Sequence, residues 1–164
     1  MTRVAITGHR GLPPPTLTLV EHALRIEVAL RLLPDGSGVP LIGVSCLADG
    51  PDSLFARAIL DAGGQLIAVV PARRYRESLP ADHHSAYDRL LAAATLVIEL
   101  DREESDSQAH QAGSLRMLED ADELLAVWDG RPARGFGGTA DVVAAARERR
   151  LPVTVLWPAG AERS

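Results

Sequence analysis

A glycine-rich turn near the end of the chain has the composition of an anion-binding site. Gly135-Phe136-Gly137-Gly138-Thr139 leads directly into helix-like sequence at 139–150. Glycine lets the backbone approach a bound group closely, and the first amides of a helix are unpaired donors at the positive end of its dipole. The turn therefore predicts a cradle for phosphate or carboxylate. The alternative is a tight turn in which Thr139 caps the helix without a ligand.

Arginines flank this turn and follow the first strand-like segment. Arg10 lies in Gly8-His9-Arg10-Gly11, and Arg131 and Arg134 stand on either side of Pro132-Ala133 just before the glycines. Guanidinium groups bind phosphate and carboxylate oxygens in a bidentate manner, so their convergence from separate loops predicts an anion site. Each arginine alone is also explained as a solvated surface residue.

Several carboxylates are candidates for acid-base chemistry or for binding sugar hydroxyls. Asp129 ends the fifth strand-like segment, and its alternative role is to form a turn before Gly130. Asp141 falls in the first turn of a predicted helix, where interaction with the helix dipole also explains it. Asp49 and Asp52 are also explained as turn and cap residues. The turn at 45–52 supplies three further binding candidates: Ser45, Asp49 and Gly50.

Composition excludes several kinds of chemistry. All 17 basic residues are arginine, so no lysine is present for a Schiff base or a P-loop. Cys46 is the only cysteine, which excludes an internal disulfide and a multi-cysteine zinc site. The five histidines lack metal-binding spacing, so no metal and no cofactor are expected. The formal charge of -5 is not typical of a nucleic-acid binder, so a nucleic-acid partner is not expected.

Hydrophobic periodicity predicts the elements that position these residues. Short apolar runs typical of buried parallel strands occur at 3–7, 41–45, 65–70, 95–100, 123–128 and 152–157. Amphipathic stretches predict a first helix that starts near Thr16 and further helices at 52–62, 85–94, 108–121 and 139–150. This alternation indicates a right-handed, doubly wound α/β sheet.

Ligands of such sheets bind beyond the carboxyl ends of the strands, where the strand order reverses. The glycine-bearing turns after strands one, two and five all lie at that edge. Strand three is expected at the edge of the sheet, so Arg73, Arg74 and Arg76 after it are expected to have a surface or partner role. The acidic segment 101–107 is expected to be a solvated loop, or alternatively a lid over a ligand.

The apolar segments are too short to cross a membrane. The longest runs, at 66–71 and 151–158, fall far below the roughly 18 residues that a bilayer requires. Residues 1–7 pass directly into strand-like sequence without the apolar region of a signal peptide. We therefore expect a cytoplasmic protein with no membrane partner.

Three stretches together resemble the SLOG superfamily, the group that contains the LOG phosphoribohydrolases, molybdenum-cofactor carrier proteins and DprA-type proteins. They are 6–10, 43–52, and 121–130 leading to 137–139. The last is also similar to nucleoside deoxyribosyltransferases. The resemblance implies one Rossmann-like three-layer domain over 1–164, with a mainly parallel sheet of about six strands and helices on both faces. It also permits a homodimer.

The resemblance further implies a nucleotide or a nucleotide-derived phosphorylated ligand at the C-terminal edge of the sheet. The residues that match the motifs are Gly8, His9, Arg10, Ser45, Asp49, Gly50, Gly137, Gly138 and Thr139. A sensor or carrier role is the first hypothesis. The phosphate is expected on the glycine-rich turn, and Phe136 is the candidate for stacking on a base.

Two departures from the enzyme families bear on catalysis. Val142 stands where both families place a glutamate, and Asp141 points about 100° around the helix from that position. Gly113 stands where the phosphoribohydrolases have an arginine, with Arg116 almost one turn later. The departures favour binding over cleavage.

Two alternatives to simple binding remain. One is an N-glycosidic-bond hydrolase or transferase acting on nucleoside 5'-monophosphates. It would use Asp129 or Asp141 as nucleophile or base, and Arg116 to stabilise developing charge. The other is DNA binding, by analogy with the DprA type, which requires a continuous basic surface.

Overall fold

The computed structural model describes residues 2–32, 40–132 and 138–163. Six parallel strands form one sheet in the order β4-β3-β2-β1-β5-β6. They are β1 (Arg3–Gly8), β2 (Ile42–Ser45), β3 (Gln65–Val70), β4 (Leu96–Glu99), β5 (Glu123–Val127) and β6 (Val153–Leu156). The helices in these ranges are α1 (Pro14–Arg31), α2 (Pro51–Asp61), α3 (Tyr75–Ser78), α4 (His84–Ala93), α5 (Ser107–Glu119) and α6 (Thr139–Glu148).

Alternating residues of the central strands face two separate apolar layers. Val4 and Ile6 of β1 belong to the cluster formed with α1 and α2, whereas Ala5 belongs to the cluster that includes residues of α5 and α6. Successive side chains of a strand point to opposite faces, so these helix pairs cover opposite faces of the sheet. The predicted Rossmann-like, three-layer α/β fold with its parallel sheet is confirmed.

The strand order reverses between β1 and β5. The chain moves outward from β1 through β2 and β3 to β4, and then returns across the sheet to pair β5 with the free side of β1. Gly8 at the end of β1 is in register with Val127, and the His9 amide donates to the Val127 carbonyl at 3.2 Å. The loops after β1 and β5 therefore emerge side by side, at the kind of switch point where α/β sheets bind ligands.

Two details of the predicted architecture are wrong. Strand β3 is not at the sheet edge, because it pairs with β2 on one side and β4 on the other. Helix α1 begins at Pro14 rather than at Thr16, since proline is tolerated in the first turn, where its missing amide has no intrahelical partner. The short helix α3 and a 3-10 turn at Ala81–His83 were not predicted.

Across the described ranges, no helix is long and apolar enough to cross a membrane. Nor does any group of three or more His, Cys, Asp or Glu side chains in these ranges have an arrangement that holds a metal ion. Cys46 is a buried free thiol.

Candidate ligand-binding site

A cavity of about 260 Å³ opens at the carboxyl ends of β1 and β2, beside the switch point. Its lining includes the loop after β1, the turn after β2, the start of α6 and part of α5. The volume is close to the lower end of the range for small-molecule sites. Gly8, His9, Arg10, Gly138 and Thr139, five of the binding residues predicted from the motifs, line this cavity.

The charged group on the loop after β1 is already paired. Arg10 donates through Nε to Asp49 Oδ1 at 2.8 Å, and its Nη2 lies 2.7 Å from the same oxygen. Asp49 is thus placed as the partner that orients Arg10 at the cavity wall. The Arg10 guanidinium remains partly exposed, so it retains donors that can reach a ligand.

His9 joins the loops after β1 and β5. Its ring is buried and packs edge-to-face on Trp157, and its Nε2 lies 3.2 Å from both the amide nitrogen and Oδ1 of Asp129. Burial acts to raise the pKa of Asp129, but the Arg131 amide, His9 and Arg163 outweigh it and hold that pKa below its usual value. Asp129 is therefore ionised at neutral pH beside the cavity.

Arg163 is a cavity residue that the sequence analysis did not find. Its guanidinium lines the cavity and lies 3.7 Å from Asp129 Oδ2. The preceding residue is fixed by Thr16, whose Oγ1 donates to the Glu162 carbonyl and accepts from the Glu162 amide, both at 2.9 Å. Thr16, a buried residue at the start of α1, thus positions Arg163 through its hydrogen bonds to Glu162, 146 residues later in the sequence.

Replacing Thr16 with valine should detach this segment. The variant keeps the shape of the side chain but leaves the amide and carbonyl of Glu162 without their partner, at a cost of about 1–3 kcal/mol. Urea unfolding should show the loss. The matched control is Thr18→Val in the same helix, because Thr18 is exposed and donates to the Pro14 carbonyl within that helix. An equal effect of the two substitutions would show that the Thr16 contact does not anchor the segment.

The turn after β2 is held by buried hydroxyl groups. Ser45 Oγ accepts from the Leu47 amide at 3.0 Å and donates to the Asp52 carbonyl at 3.0 Å. Ser53 Oγ donates to the Ala48 carbonyl at 2.6 Å. Leu47 has a φ of 59°, a left-handed conformation that a leucine adopts only when its surroundings enforce it. Ser45 is fully buried and shapes this turn instead of lining the cavity.

The turn directs the Asp52 carboxyl into the cavity. Asp52 lines the cavity wall and accepts a hydrogen bond from the Ala48 amide. Burial raises the pKa of Asp52 to about 7, although that amide and the nearby Arg10 oppose the shift. Sequence reasoning treated Asp52 as a turn or cap residue; the cap position of α2 is Gly50.

The glycines of the two loops have structural roles beside any contact with a ligand. A Cβ on Gly8 would lie 2.7 Å from Pro51 Cβ, so glycine is needed for α2 to start against the end of β1. Gly50 has a φ of 90°, which favours glycine, and it does not line the cavity. Packing thus accounts for Gly8, and backbone conformation for Gly50, without a ligand.

The start of α6 is described only from Gly138 onward. Gly138 is the cap residue and Thr139 the first residue of the helix, which corrects the alternative in which Thr139 was the cap. The Asp141 amide donates to the Gly138 carbonyl at 3.0 Å, so the donors that the start of α6 offers to a group in the cavity are the amides of Thr139 and Ala140. Gly137, Arg134 and Phe136 lie outside the described residues, whereas Arg131 is exposed and does not line the cavity.

The three catalytic candidates are not brought together. Asp129 contacts His9 and Arg163, which line the cavity, whereas Asp141 lies with Gln111 and Leu115 along a groove between α5 and α6. Arg116 pairs with Asp120 at 2.5 Å. Asp120 also lies 3.8 Å from Arg3, at the amino end of β1 and thus at the opposite edge of the sheet. A Cβ at Gly113 would lie 2.8 Å from Pro71 Cγ, so this position has no room for the arginine of the phosphoribohydrolases.

Two of the three arginines that follow β3, Arg73 and Arg74, pair with the acidic segment 101–107, whereas Arg76 pairs with Asp88 at 2.8 Å. Arg73 Nη2 donates to Asp101 at 2.7 Å, and its amide donates to the Arg102 carbonyl at 2.8 Å. Arg74 donates to Glu104 at 3.4 Å. These exposed groups fit the solvated-loop interpretation of 101–107, and neither arginine lines the cavity.

No protein-family model and no curated protein matches the chain. Solved structures do match. DNA processing protein A from Streptococcus pneumoniae superposes with a TM-score of 0.70 at 19% identity, over 98% of this chain and 52% of that one. The Helicobacter pylori protein of the same name gives a TM-score of 0.69 at 16% identity, over 99% of this chain and 68% of that one. The Moco carrier protein from Chlamydomonas reinhardtii gives a TM-score of 0.56 at 19% identity, over 94% of this chain and 75% of that one.

The chain therefore shares the fold of these DNA processing and Moco carrier proteins. The resemblance stated from the motifs is thereby confirmed at the level of the fold. The chain spans about half the length of the Streptococcus pneumoniae protein. The Helicobacter pylori protein is described by its single-stranded DNA binding mode, and the Chlamydomonas reinhardtii protein is a carrier of Moco. The fold therefore gives no support to the expectation that a nucleic-acid partner is absent.

Proposed function

We propose that this SLOG-type domain binds a nucleotide or a nucleotide-derived phosphorylated small molecule and acts as a sensor or carrier. The observation that carries the proposal is the cavity at the switch point, where Arg10, Arg163 and the start of α6 at Gly138 meet. Two guanidinium groups and helix amides are the donors that phosphate oxygens require. A solved carrier protein with the same fold supports a carrier role.

A small ligand accounts for the site better than single-stranded DNA does. DNA binding needs a positively charged groove along the backbone, with aromatic side chains for stacking. In the described ranges, Arg73 and Arg74 are paired with the acidic segment 101–107. The likeness to a DNA processing protein keeps single-stranded DNA as the second candidate.

Binding without cleavage also fits the placement of the catalytic candidates. Only Asp129 lies beside the cavity, and it already pairs with Arg163 and accepts from the Arg131 amide. Asp141 lies along the α5–α6 groove and Arg116 at the opposite sheet edge. A nucleophile and a charge-stabilising arginine are thus not assembled around one bond.

A ligand panel tests the proposal. The protein is mixed separately with AMP, GMP, CMP, UMP, adenosine, inorganic phosphate and a thymidine oligonucleotide, and each mixture is assayed for melting temperature and released base. A monophosphate at 100 times its dissociation constant should stabilise the fold by about 2.7 kcal/mol, without released base. Stabilisation by the oligonucleotide alone, with strong salt dependence, would replace the proposal with DNA binding. Released base would replace it with catalysis, and an unchanged melting temperature throughout would refute both nucleotide roles.

A further inference from the structure

The charges around the cavity are almost all paired. Arg10 is neutralised by Asp49 at 2.7 Å, and Arg163 lies 3.7 Å from Asp129. In the described part of the chain, Asp52 has no cation within salt-bridge distance. Its carboxyl accepts a hydrogen bond from the Ala48 amide and is attracted at longer range by the charge of Arg10. The ionisation of Asp52 therefore sets whether the cavity is neutral or negative overall.

Asp52 is also the group in this environment that titrates near neutral pH. Burial raises the pKa of Asp52 to about 7, against the opposing effects of the Ala48 amide and Arg10. Burial raises the pKa of Cys46 and of Tyr75 well above their usual values, so both stay neutral. Burial also lowers the pKa of His110. The other charged or titratable side chains around the cavity, among the described residues, are His9, Arg10, Asp49 and Arg163.

We propose that Asp52 takes up a proton when the cavity binds an anionic ligand, and that the neutral carboxyl donates a hydrogen bond to a ligand oxygen. The inference rests on the proposed function. An ionised Asp52 is an acceptor only and repels an anion in the same small cavity, whereas the acid has one donor and no charge. The proton comes from solvent, and no covalent bond changes.

The proposal fixes the sign of the pH dependence. Affinity should be highest where Asp52 is already protonated, and it should fall as pH rises through about 7. Because the ligand must bind the protonated form, the affinity at pH 8 should be about tenfold lower than at pH 6. Asp52→Asn carries a neutral amide that donates as the acid does, so the variant escapes this cost. It should bind about tenfold more tightly than the natural protein at pH 8 and equally at pH 6.

Calorimetric titration with AMP at pH 6, 7 and 8 tests this, with each pH measured in two buffers of different ionisation enthalpy. The natural protein should take up close to one proton at pH 8, and Asp52→Asn none. The second ionisation of AMP is common to both proteins and cancels in the comparison. Asp61→Asn is the matched control, because Asp61 is exposed at the far end of α2 and pairs with Arg25 instead of lining the cavity. It should behave as the natural protein.

Three results would overturn the inference. Weaker binding by Asp52→Asn at every pH would show that the carboxylate accepts a hydrogen bond from the ligand. Binding by the natural protein without proton uptake would refute the coupling even if the variant failed to fold. Both results leave the proposed function intact, whereas an absence of binding of AMP, GMP, CMP and UMP alike by the natural protein, at all three pH values, would refute the proposed function together with this inference.

Discussion

Replacing Arg163 with alanine should weaken binding of a nucleoside monophosphate by about 10- to 150-fold, the loss expected for one hydrogen bond to a charged group of 1.5–3 kcal/mol. Arg163 lines the cavity with its guanidinium 20% exposed. Its removal also leaves Asp129 without its cation, which makes the cavity edge more negative. Titration with AMP, followed by calorimetry, measures the effect.

Arg89→Ala is the matched control for that experiment. Arg89 is exposed on α4, where it donates to Ser85. Its loss should change neither affinity nor stability by more than about 0.5 kcal/mol. If Arg163→Ala bound AMP as tightly as Arg89→Ala, the ligand phosphate would not be held by Arg163, and the assignment of the anion site would be wrong.

The largest effect on stability is expected at Phe55, for which alanine should lower the free energy of unfolding by about 3–5 kcal/mol. Phe55 is fully buried in α2 and closely approaches the backbone of β2, since a Cβ at Gly43 would lie 2.9 Å from its Cε2 atom. No polar group replaces the lost ring, so the cavity left behind and the lost transfer energy both destabilise the fold.

Urea unfolding of Phe55→Ala, with Phe55→Leu as the conservative comparison, gives this free energy. The leucine variant should lose much less, because it retains most of the apolar volume. A loss below about 1 kcal/mol for alanine would contradict the close packing of α2 on β2 that places Asp52 at the cavity.

The sequence was sufficient to predict the elements but not their order in the sheet. Each strand is a short apolar run with its own local signal, so all six were found within one or two residues. Strand order depends on the direction of each crossover, which no local pattern encodes, and β3 was therefore placed at the edge although it lies between β2 and β4. The predicted start of α1 was two residues too late, because Pro14 and Pro15 were treated as a barrier to the helix.

The motifs were sufficient to predict the residues of the loop after β1, but not the cavity residues whose position depends on burial and on distant contacts. Gly8, His9 and Arg10 follow a strand at the switch point, so their convergence with the start of α6 followed from topology. Asp52 has the sequence signature of a turn residue, and only the folded structure shows that its carboxyl is buried against the cavity. Arg163 reaches the cavity through a contact between residues 16 and 162, which sequence spacing does not reveal.

The most direct test of an anion site at the switch point is a titration of the isotopically labelled protein with AMP, followed by amide chemical shifts. The largest changes are expected at Gly8, His9, Arg10 and Thr139, which line the cavity. The amide of Asp141, on the α5–α6 groove, should change less. Changes centred on that groove, or an absence of changes at saturating AMP, would contradict a nucleotide site at the carboxyl edge of β1.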